Sequence, residues 1–451
     1  MIKTMEYEAF SFHILFGFLH LCYIYVPMER TKAQNILNEG FVHTVKDPLW
    51  QNIPMTKEIK ALTEVDDVQK LARIKQNGPS YHIYPGCVHT RLSHSLGVYY
   101  LGRQILLSLS KKSQDLPFTE KGMMSFLVAC LLHDIGHFPY AHSLKELAIR
   151  DHEELAGEMI LEHKELGEAI DKTGADRVMT AAIIDKDLLS SDEETIFYRN
   201  VLSGTLDPDK LDYLSRDGFF AGVPYGKQDT DFIISSLSYH NSRLCLDKAA
   251  ISSVEQILFS KYMMYRTLYW HKGVRSATAM IKKALITALK EGLVTFDELY
   301  GIDDNEFVLL LRERKDKCGA LEMVEEVEHN HLFERKAFKD YESSGVIETK
   351  GRKPGDREEM ERQIWKNLSK DYPDLKEWEV IIDIPEPISF ETHISVLTED
   401  GRVEDINDSD MVFSGKVSSL FQKSLRKVAL YTPSYISEEA ASRAMGEVIH
   451  G

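Results

Sequence analysis

The stretch Ala129-Cys-Leu-Leu-His-Asp-Ile-Gly-His-Phe-Pro-Tyr-Ala-His142 decides how this chain is read. It starts as the end of an apolar helical run and passes directly into an imidazole followed by a carboxylate, His133-Asp134. Burying that pair among apolar side chains is costly unless something compensates it. A divalent cation is the readiest compensation, because imidazole nitrogen and carboxylate oxygen bind it together. Two other segments supply matching groups. His94 stands upstream in Arg91-Leu-Ser-His94-Ser-Leu-Gly97, and Asp209 downstream in Asp207-Pro-Asp209-Lys210-Leu-Asp-Tyr213. A set of this kind can hold a metal and activate water for phosphoester hydrolysis.

The flanking patterns turn these donors inward. Residues 90–110 read as a helix on which His94, Val98, Leu101 and Ile105 share one face. Residues 119–134 read as a second helix, apolar all round between Phe126 and Leu132 and therefore central. Gly136 and Pro139 end it. Asp207 as N-cap and Pro208 in the first turn open a third helix. That helix puts Asp209, Tyr213 and Arg216 on one face, with Lys210, Leu214 and Asp217 on the adjoining one. Taken singly, each donor has a bland role. A buried histidine is usually a satisfied core residue, and Asp209 is a first-turn carboxylate favoured by the helix dipole. Jointly they point to a metal site.

Groups suited to phosphate surround the four ligands. Arg91, Lys210 and Lys261 are fixed cations of the type that stabilises charge during phosphoryl chemistry, although each alone reads as an ordinary surface charge. His137, His142 and His152 add imidazoles that can exchange protons near neutrality. His142 and Glu146 lie one helical turn apart, so the carboxylate would orient that ring; the alternative is a simple exposed or supporting pair.

With 451 residues, the chain can form two or more domains, or one large core with appendages. Its net charge of −17 argues against bulk binding to nucleic acid while leaving room for a local basic pocket. Five scattered cysteines form no CxxC pair, which argues against a zinc-finger or disulfide framework and fits a cytoplasmic location. Residues 1–27 are read in two ways. The apolar run 9–26 is long enough for a short membrane anchor or a packed helix, or translation starts at Met28 and residues 1–27 are an extension. Residues 28–300 are expected to form the catalytic core and 301–451 a smaller α+β domain with regulatory or oligomerising roles. Further helices are expected over 63–76, 153–166, 173–189, 251–291 and 437–449. A lead-in over 28–50 and residues 378–396 should be β-rich. Residues 81–85 should be extended, 218–226 a glycine-bearing loop and 341–362 a linker.

The blocks Ile74-Lys-Gln76, His89-Thr-Arg91-Leu-Ser-His94, His133-Asp-Ile-Gly-His-Phe-Pro-Tyr-Ala-His142, His152-Glu153, Asp207-Pro-Asp-Lys-Leu-Asp-Tyr-Leu-Ser-Arg-Asp217 and Tyr269-Trp-His-Lys272 resemble, in order, those of HD-domain phosphohydrolases. Within that family they resemble the deoxynucleoside triphosphate triphosphohydrolases. The resemblance covers residues 68–275 well and the C-terminal part weakly. It implies a mainly α fold, an HD-domain helical core with a smaller α+β C-terminal domain. It implies that His94, His133, Asp134 and Asp209 ligate a Mn, Mg or Fe type of ion. Arg91, Lys210 and Lys261 would hold the triphosphate. Tyr213 and Tyr269 would pack around the sugar and exclude a 2′-hydroxyl, and Gln76 and Asp217 would meet the 3′-hydroxyl. His142, with His137 and His152 nearby and Glu146 as its partner, would serve the attack and the leaving group. The implied products are deoxynucleoside and inorganic triphosphate, and the implied assembly is a homo-oligomer, dimer or tetramer. A nucleotide activator is a further implication: Gln69 matches part of such a site, Ala72 replaces an expected arginine beside Arg73, and Arg335 and Lys339 are basic candidates. Two alternatives stay open. One is another HD phosphohydrolase, a nucleotidase or a cyclic or alarmone nucleotide hydrolase. The other is a non-catalytic nucleotide-sensing protein with a structural metal site.

Overall fold

Thr90 starts the helix that carries the first candidate ligand, His94. Its side chain accepts from the Ser93 amide at 3.4 Å, while its own amide donates to Ser93 Oγ at 3.2 Å. This reciprocal cap fixes α1, Arg91–Lys112, so that Arg91 opens the first turn and His94 faces the interior. The computed structural model describes residues 32–113, 116–140, 149–341, 354–386, 388, 390, 393–409, 411–413 and 415–450. The apolar run 9–26, His142, Glu146 and residues 342–353 of the expected linker lie outside the described residues.

Five more helices carry the site. In α2, Glu120–Leu132, ten of the thirteen residues are buried, which is the central position its apolar sequence predicts. His133 is its C-cap. Helix α3, His152–Glu162, is capped by Asp151, whose side chain accepts from the Glu153 amide. Helix α4, Pro208–Ala221, has the expected Asp207 cap and ends on Gly222 in the left-handed conformation at φ 69°. The chain from 251 to 291 is not one helix. A π-turn over Tyr265–Tyr269 and a break at Trp270–His271 divide it into α5, Ile251–Met264, and α6, Lys272–Lys290.

Other expectations are corrected in detail. Residues 63–76 give only short helical turns, Asp66–Gln69 and Lys70–Arg73. Residues 81–85 are not extended, because a 3₁₀ turn covers Gly78–His82. The glycine-bearing loop starts later than residue 218, since α4 runs through Gly218 to Ala221. The linker reading of 341–362 fails at its end, where Pro354–Leu368 is helical. Met360, Ile364 and Leu368 are buried in the C-terminal core, while Asp356, Glu359, Arg362 and Lys366 are exposed.

Among the described residues, 18 α-helices and nine short strands make the fold mainly α. The strands are β1 (Phe41–Asp47), β2 (Gln51–Thr56), β3 (Leu237–His240), β4 (Arg243–Asp247), β5 (Glu334–Asp340), β6 (Ile381–Asp383), β7 (Ser395–Leu397), β8 (Val403–Asp405) and β9 (Lys427–Thr432). They form a β1–β2 hairpin, a sheet in the order β3-β4-β7-β8 and a sheet in the order β5-β9-β6. Strands β4 and β7 pair in parallel, so the C-terminal part adds two strands to a hairpin from the middle of the chain. One apolar core runs through α1, α2 and α4 and also takes in Ile53 and Met55 of the first hairpin. A second joins α6 to β6 and β9, and a third lies under the C-terminal helix Glu438–His450.

Candidate metal centre and active site

The end of α2, the inner face of α1 and the start of α4 meet over a cavity of about 700 Å³. His94 Nε2 lies 3.0 Å from Asp209 Oδ1 and 4.0 Å from Asp134 Oδ2. His133 Nε2 lies 3.5 Å from Asp134 Oδ1 and 3.8 Å from Asp209 Oδ1. Donors about 2.1 Å from one ion stand roughly 3.0 Å apart when adjacent and 4.2 Å apart when opposite. All four separations fall in that range. His133 Nε2 is buried with no hydrogen-bond partner among the described residues, while its Nδ1 faces the Cys130 carbonyl at 3.0 Å. A buried ring nitrogen aimed at two carboxylates without a hydrogen bond fits a metal ligand. The residues present therefore suit a divalent cation of the Mn, Fe or Mg type.

The chain builds this cluster with close backbone contacts. A Cβ on Gly136 would come within 2.2 Å of the His152 carbonyl and 2.7 Å of the Ala156 amide. Only glycine lets the turn after His133-Asp134 lie against α3. A Cβ on Gly97 would come within 1.9 Å of Asp212 Oδ1, so glycine lets α1 and α4 approach beside His94.

Charge compensation extends outward from the donors. Arg91 Nη1 donates to Asp134 Oδ2 at 2.7 Å. Burial alone would raise the Asp134 carboxyl, but His137, Arg91, His133 and His94 hold it well below the usual range. Burial alone would lower His94, yet the Asp209 and Asp212 carboxylates bring it up to about 10. Behind His94, its Nδ1 lies 2.8 Å from Asp212 Oδ2. Asp212 also accepts from Trp50 Nε1 at 2.5 Å and from Arg216 at 2.8 and 2.9 Å. Arg216 reaches on to Asp47 Oδ2 at 2.8 Å. The β1–β2 hairpin is thus tied to His94 through one buried polar chain. Sequence reasoning missed Asp212, Asp47 and Trp50, although the one-turn spacing of Asp212 and Arg216 was a signal for a paired helix face.

Gln76, Arg91, Lys210, Tyr213, Asp217 and Tyr269 line the cavity together with the four donors. Asp217 is held on both oxygens, by His89 Nε2 at 2.7 Å and by the Tyr269 hydroxyl, which donates at 2.6 Å. Gln76 Oε1 is buried without a hydrogen-bond partner among the described residues. Lys210 Nζ donates to the Gly204 carbonyl at 2.9 Å and pairs with Asp207. Burial pushes the Asp207 carboxyl up to about 6 against the pull of Lys210. Lys261 is placed elsewhere. It lines a neighbouring cavity of about 640 Å³, which shares Ser203 and Lys210 with the first, and its Nζ lies 5.5 Å from the Phe390 ring. Burial and the nearby Lys210 bring the Lys261 ammonium down to about 8. His152 lines the main cavity, whereas His137 is fully buried behind it.

Lys70 is a second residue that sequence reasoning passed over. Its Nζ donates to the Ile135 carbonyl at 3.2 Å, one residue after Asp134, and burial lowers the ammonium to about 8. A lysine lowered in the folded state disfavours folding while it is charged. That cost is full below about pH 8 and disappears as pH rises toward 10.5, the ordinary lysine value. Lys70→Met is therefore expected to stabilise the fold at pH 7 by roughly 1–3 kcal/mol, net of the lost hydrogen bond. The gain should shrink steadily between pH 8 and 10. Urea unfolding across that range checks it, and a pH-independent difference would refute the burial account.

A helical core that gathers His94, His133-Asp134 and Asp209 at one cavity defines an HD-type phosphohydrolase. The chain matches the family model of the HD domain over residues 91–191 and that of the HD associated region over residues 228–450. It belongs to the HD-domain phosphohydrolases and resembles the deoxynucleoside triphosphate triphosphohydrolases among them. Asp209 falls between the two matched spans, so its place in the site rests on the distances above.

An uncharacterized protein of Methanocaldococcus jannaschii is 28% identical over 400 residues, covering 86% of this chain and 79% of that one. Uncharacterized protein YwfO of Bacillus subtilis is 30% identical over 241 residues, 53% of this chain and 54% of its own. Human deoxynucleoside triphosphate triphosphohydrolase SAMHD1 is 22% identical over 342 residues, 64% of this chain and 54% of its own. The match thus spans about half the length of the last two. The crystal structure of a phosphohydrolase from Bacteroides thetaiotaomicron shares the fold, with a TM-score of 0.67 at 24% identity over 86% of this chain and 99% of that one. No described helix is long and apolar enough to cross a membrane. Cys87, Cys130, Cys245 and Cys318 are free and buried, so none of them forms a disulfide with another described cysteine.

Proposed function

We propose that this protein hydrolyses deoxynucleoside triphosphates to deoxynucleoside and inorganic triphosphate. The observation that carries the reading is the order of groups along α4. Asp209, Lys210, Tyr213 and Asp217 all line one cavity, and Asp209 and Asp217 are two helical turns apart, about 12 Å. One end offers the metal donors and cations, and the other offers an acceptor between aromatic rings, as a phosphate chain joined to a sugar requires.

In this reading His94, His133, Asp134 and Asp209 hold the divalent cation. A cation so held polarises a phosphoryl oxygen and lowers the pKa of water at the site. Arg91 and Lys210 face the triphosphate, and Lys261 meets its far end through the neighbouring cavity. Asp217, oriented by His89, accepts from the 3′-hydroxyl, with Gln76 beside it. Tyr213 and Tyr269 fill the space that a 2′-hydroxyl would need. His142, with His137 and His152 nearby and Glu146 as its partner, serves the attack and the leaving group. The core over residues 28–300, a regulatory or oligomerising C-terminal part, a nucleotide activator, a homo-oligomer and a cytoplasmic location complete the proposal.

The test is product analysis. The full chain is incubated with each dNTP and rNTP, singly and in mixtures, with Mn. Deoxynucleoside plus triphosphate from dNTPs is the expected result, and faster turnover in mixtures would reveal the activator. Release of monophosphate or single phosphate would move the protein to another branch of the family. Tight nucleotide binding with no turnover across metals would make it a sensor.

A further inference from the structure

We propose that Asp304 is a positioning residue that sets Gln76 against the sugar end of the substrate. The proposal rests on the reading of Gln76 as a contact of the 3′-hydroxyl. Among the described residues Gln76 Oε1 has no hydrogen-bond partner, so its place depends on the backbone that carries it. That backbone, residues 74–76, lies along residues 89–91. The Gln76 amide donates to the His89 carbonyl and the Arg91 amide to the Ile74 carbonyl, each at 3.0 Å, around an antiparallel Lys75–Thr90 bridge. In that pattern the Lys75 amide points to the opposite side. There Asp304 Oδ2 accepts it at 3.0 Å.

Asp304 is itself well anchored. It opens the helix Asp304–Arg312, whose N-cap is Asp303. The Asp303 side chain accepts from the Asn305 and Glu306 amides at 3.0 Å each, so the helix start does not need the Asp304 carboxylate. Phe307 and Leu311 of this helix are buried in the second core, which also contains α6. Two ion pairs tie the same helix start to the residues just before Gln76. Asp303 meets Arg73 Nε at 2.5 Å, and Asp304 meets Lys75 Nζ at 3.3 Å. Lys75, Gln76 and Asp304 line the main cavity together, so a residue beyond position 300 supplies part of its wall. Without the Asp304 oxygen the Lys75 amide must find another acceptor, and the segment that carries Gln76 turns with it.

The test compares substrates with and without the group that Gln76 meets. The full chain with Mn is assayed on dNTPs and on 2′,3′-dideoxynucleoside triphosphates. Asp304→Ala should lower kcat/KM for dNTPs by about 10–100-fold. It should change kcat/KM for the dideoxy analogues by no more than about 2-fold, and add no further loss to Gln76→Ala. Asp304→Asn keeps an oxygen for the Lys75 amide and should hold the ratio between the two substrates near the wild-type value. Circular dichroism checks that each variant is folded. Equal losses on both substrates, additive losses with Gln76→Ala, or a collapsed ratio in Asp304→Asn would overturn the positioning role and leave the substrate reading intact. No turnover of any dNTP by the wild type would overturn that reading and this role with it.

Discussion

Asp209→Ala is expected to weaken Mn binding at least about 100-fold and to lower hydrolysis by about 10³-fold or more, while the protein stays folded. The separation of these effects follows from where Asp209 sits. Its Oδ1 is within 3.0 Å of His94 Nε2 and 3.8 Å of His133 Nε2, so it joins the two imidazoles into one ligand set. Without it, the cation loses a charged donor and the opposite wall of the site. Its structural role is small, because the side chain is 35% exposed to the cavity and Asp207 caps the helix. A lost first-turn carboxylate costs only about 0.3–1 kcal/mol. Mn calorimetry, product analysis and a thermal melt of the same preparation measure all three quantities. Wild-type turnover in Asp209→Ala would remove this residue from the metal site.

Arg216→Met is expected to destabilise the fold by about 3–5 kcal/mol, with weaker Mn binding in the fraction that folds. Arg216 is 0% exposed and lies between Asp212 and Asp47. Removing its guanidinium takes the shared counter-charge from two buried carboxylates, which is the costly way to break a buried pair. One of them, Asp212, also holds Nδ1 of His94, so a shift there reaches that proposed ligand. Urea unfolding gives the stability, and Mn titration under folding conditions gives the coupling. A loss below about 1 kcal/mol would show that the polar chain from the hairpin to His94 does not support the fold.

The site donors were legible because their segments are local and strongly patterned. His94 shares its helix face with Val98, Leu101 and Ile105, and the structure buries all four. The Asp207-Pro208 start was legible for the same reason: its cap and its missing amide act within one turn. Helix limits were less legible where the cause is distant. The π-turn at Tyr265–Tyr269 lies within a continuous amphipathic pattern, and the Tyr269 hydroxyl there binds Asp217 from another helix. The helix over Pro354–Leu368 looks like a charged linker until the C-terminal strands supply the surface that buries Ile364 and Leu368.

The sequence by itself determined the inward face of α1, the apolar α2 that ends at His133-Asp134 and the capped start of α4. These depend on side-chain periodicity and on groups a few residues apart, which one strand of text contains. Only the tertiary structure decided what stands behind and between the donors. It tied Asp47 and Trp50 to His94 through Asp212 and Arg216. It placed Lys261 in the neighbouring cavity and His137 behind His152. Such relations join residues tens to hundreds of positions apart, and helix packing around glycines such as Gly97 and Gly136 fixes them to within an ångström.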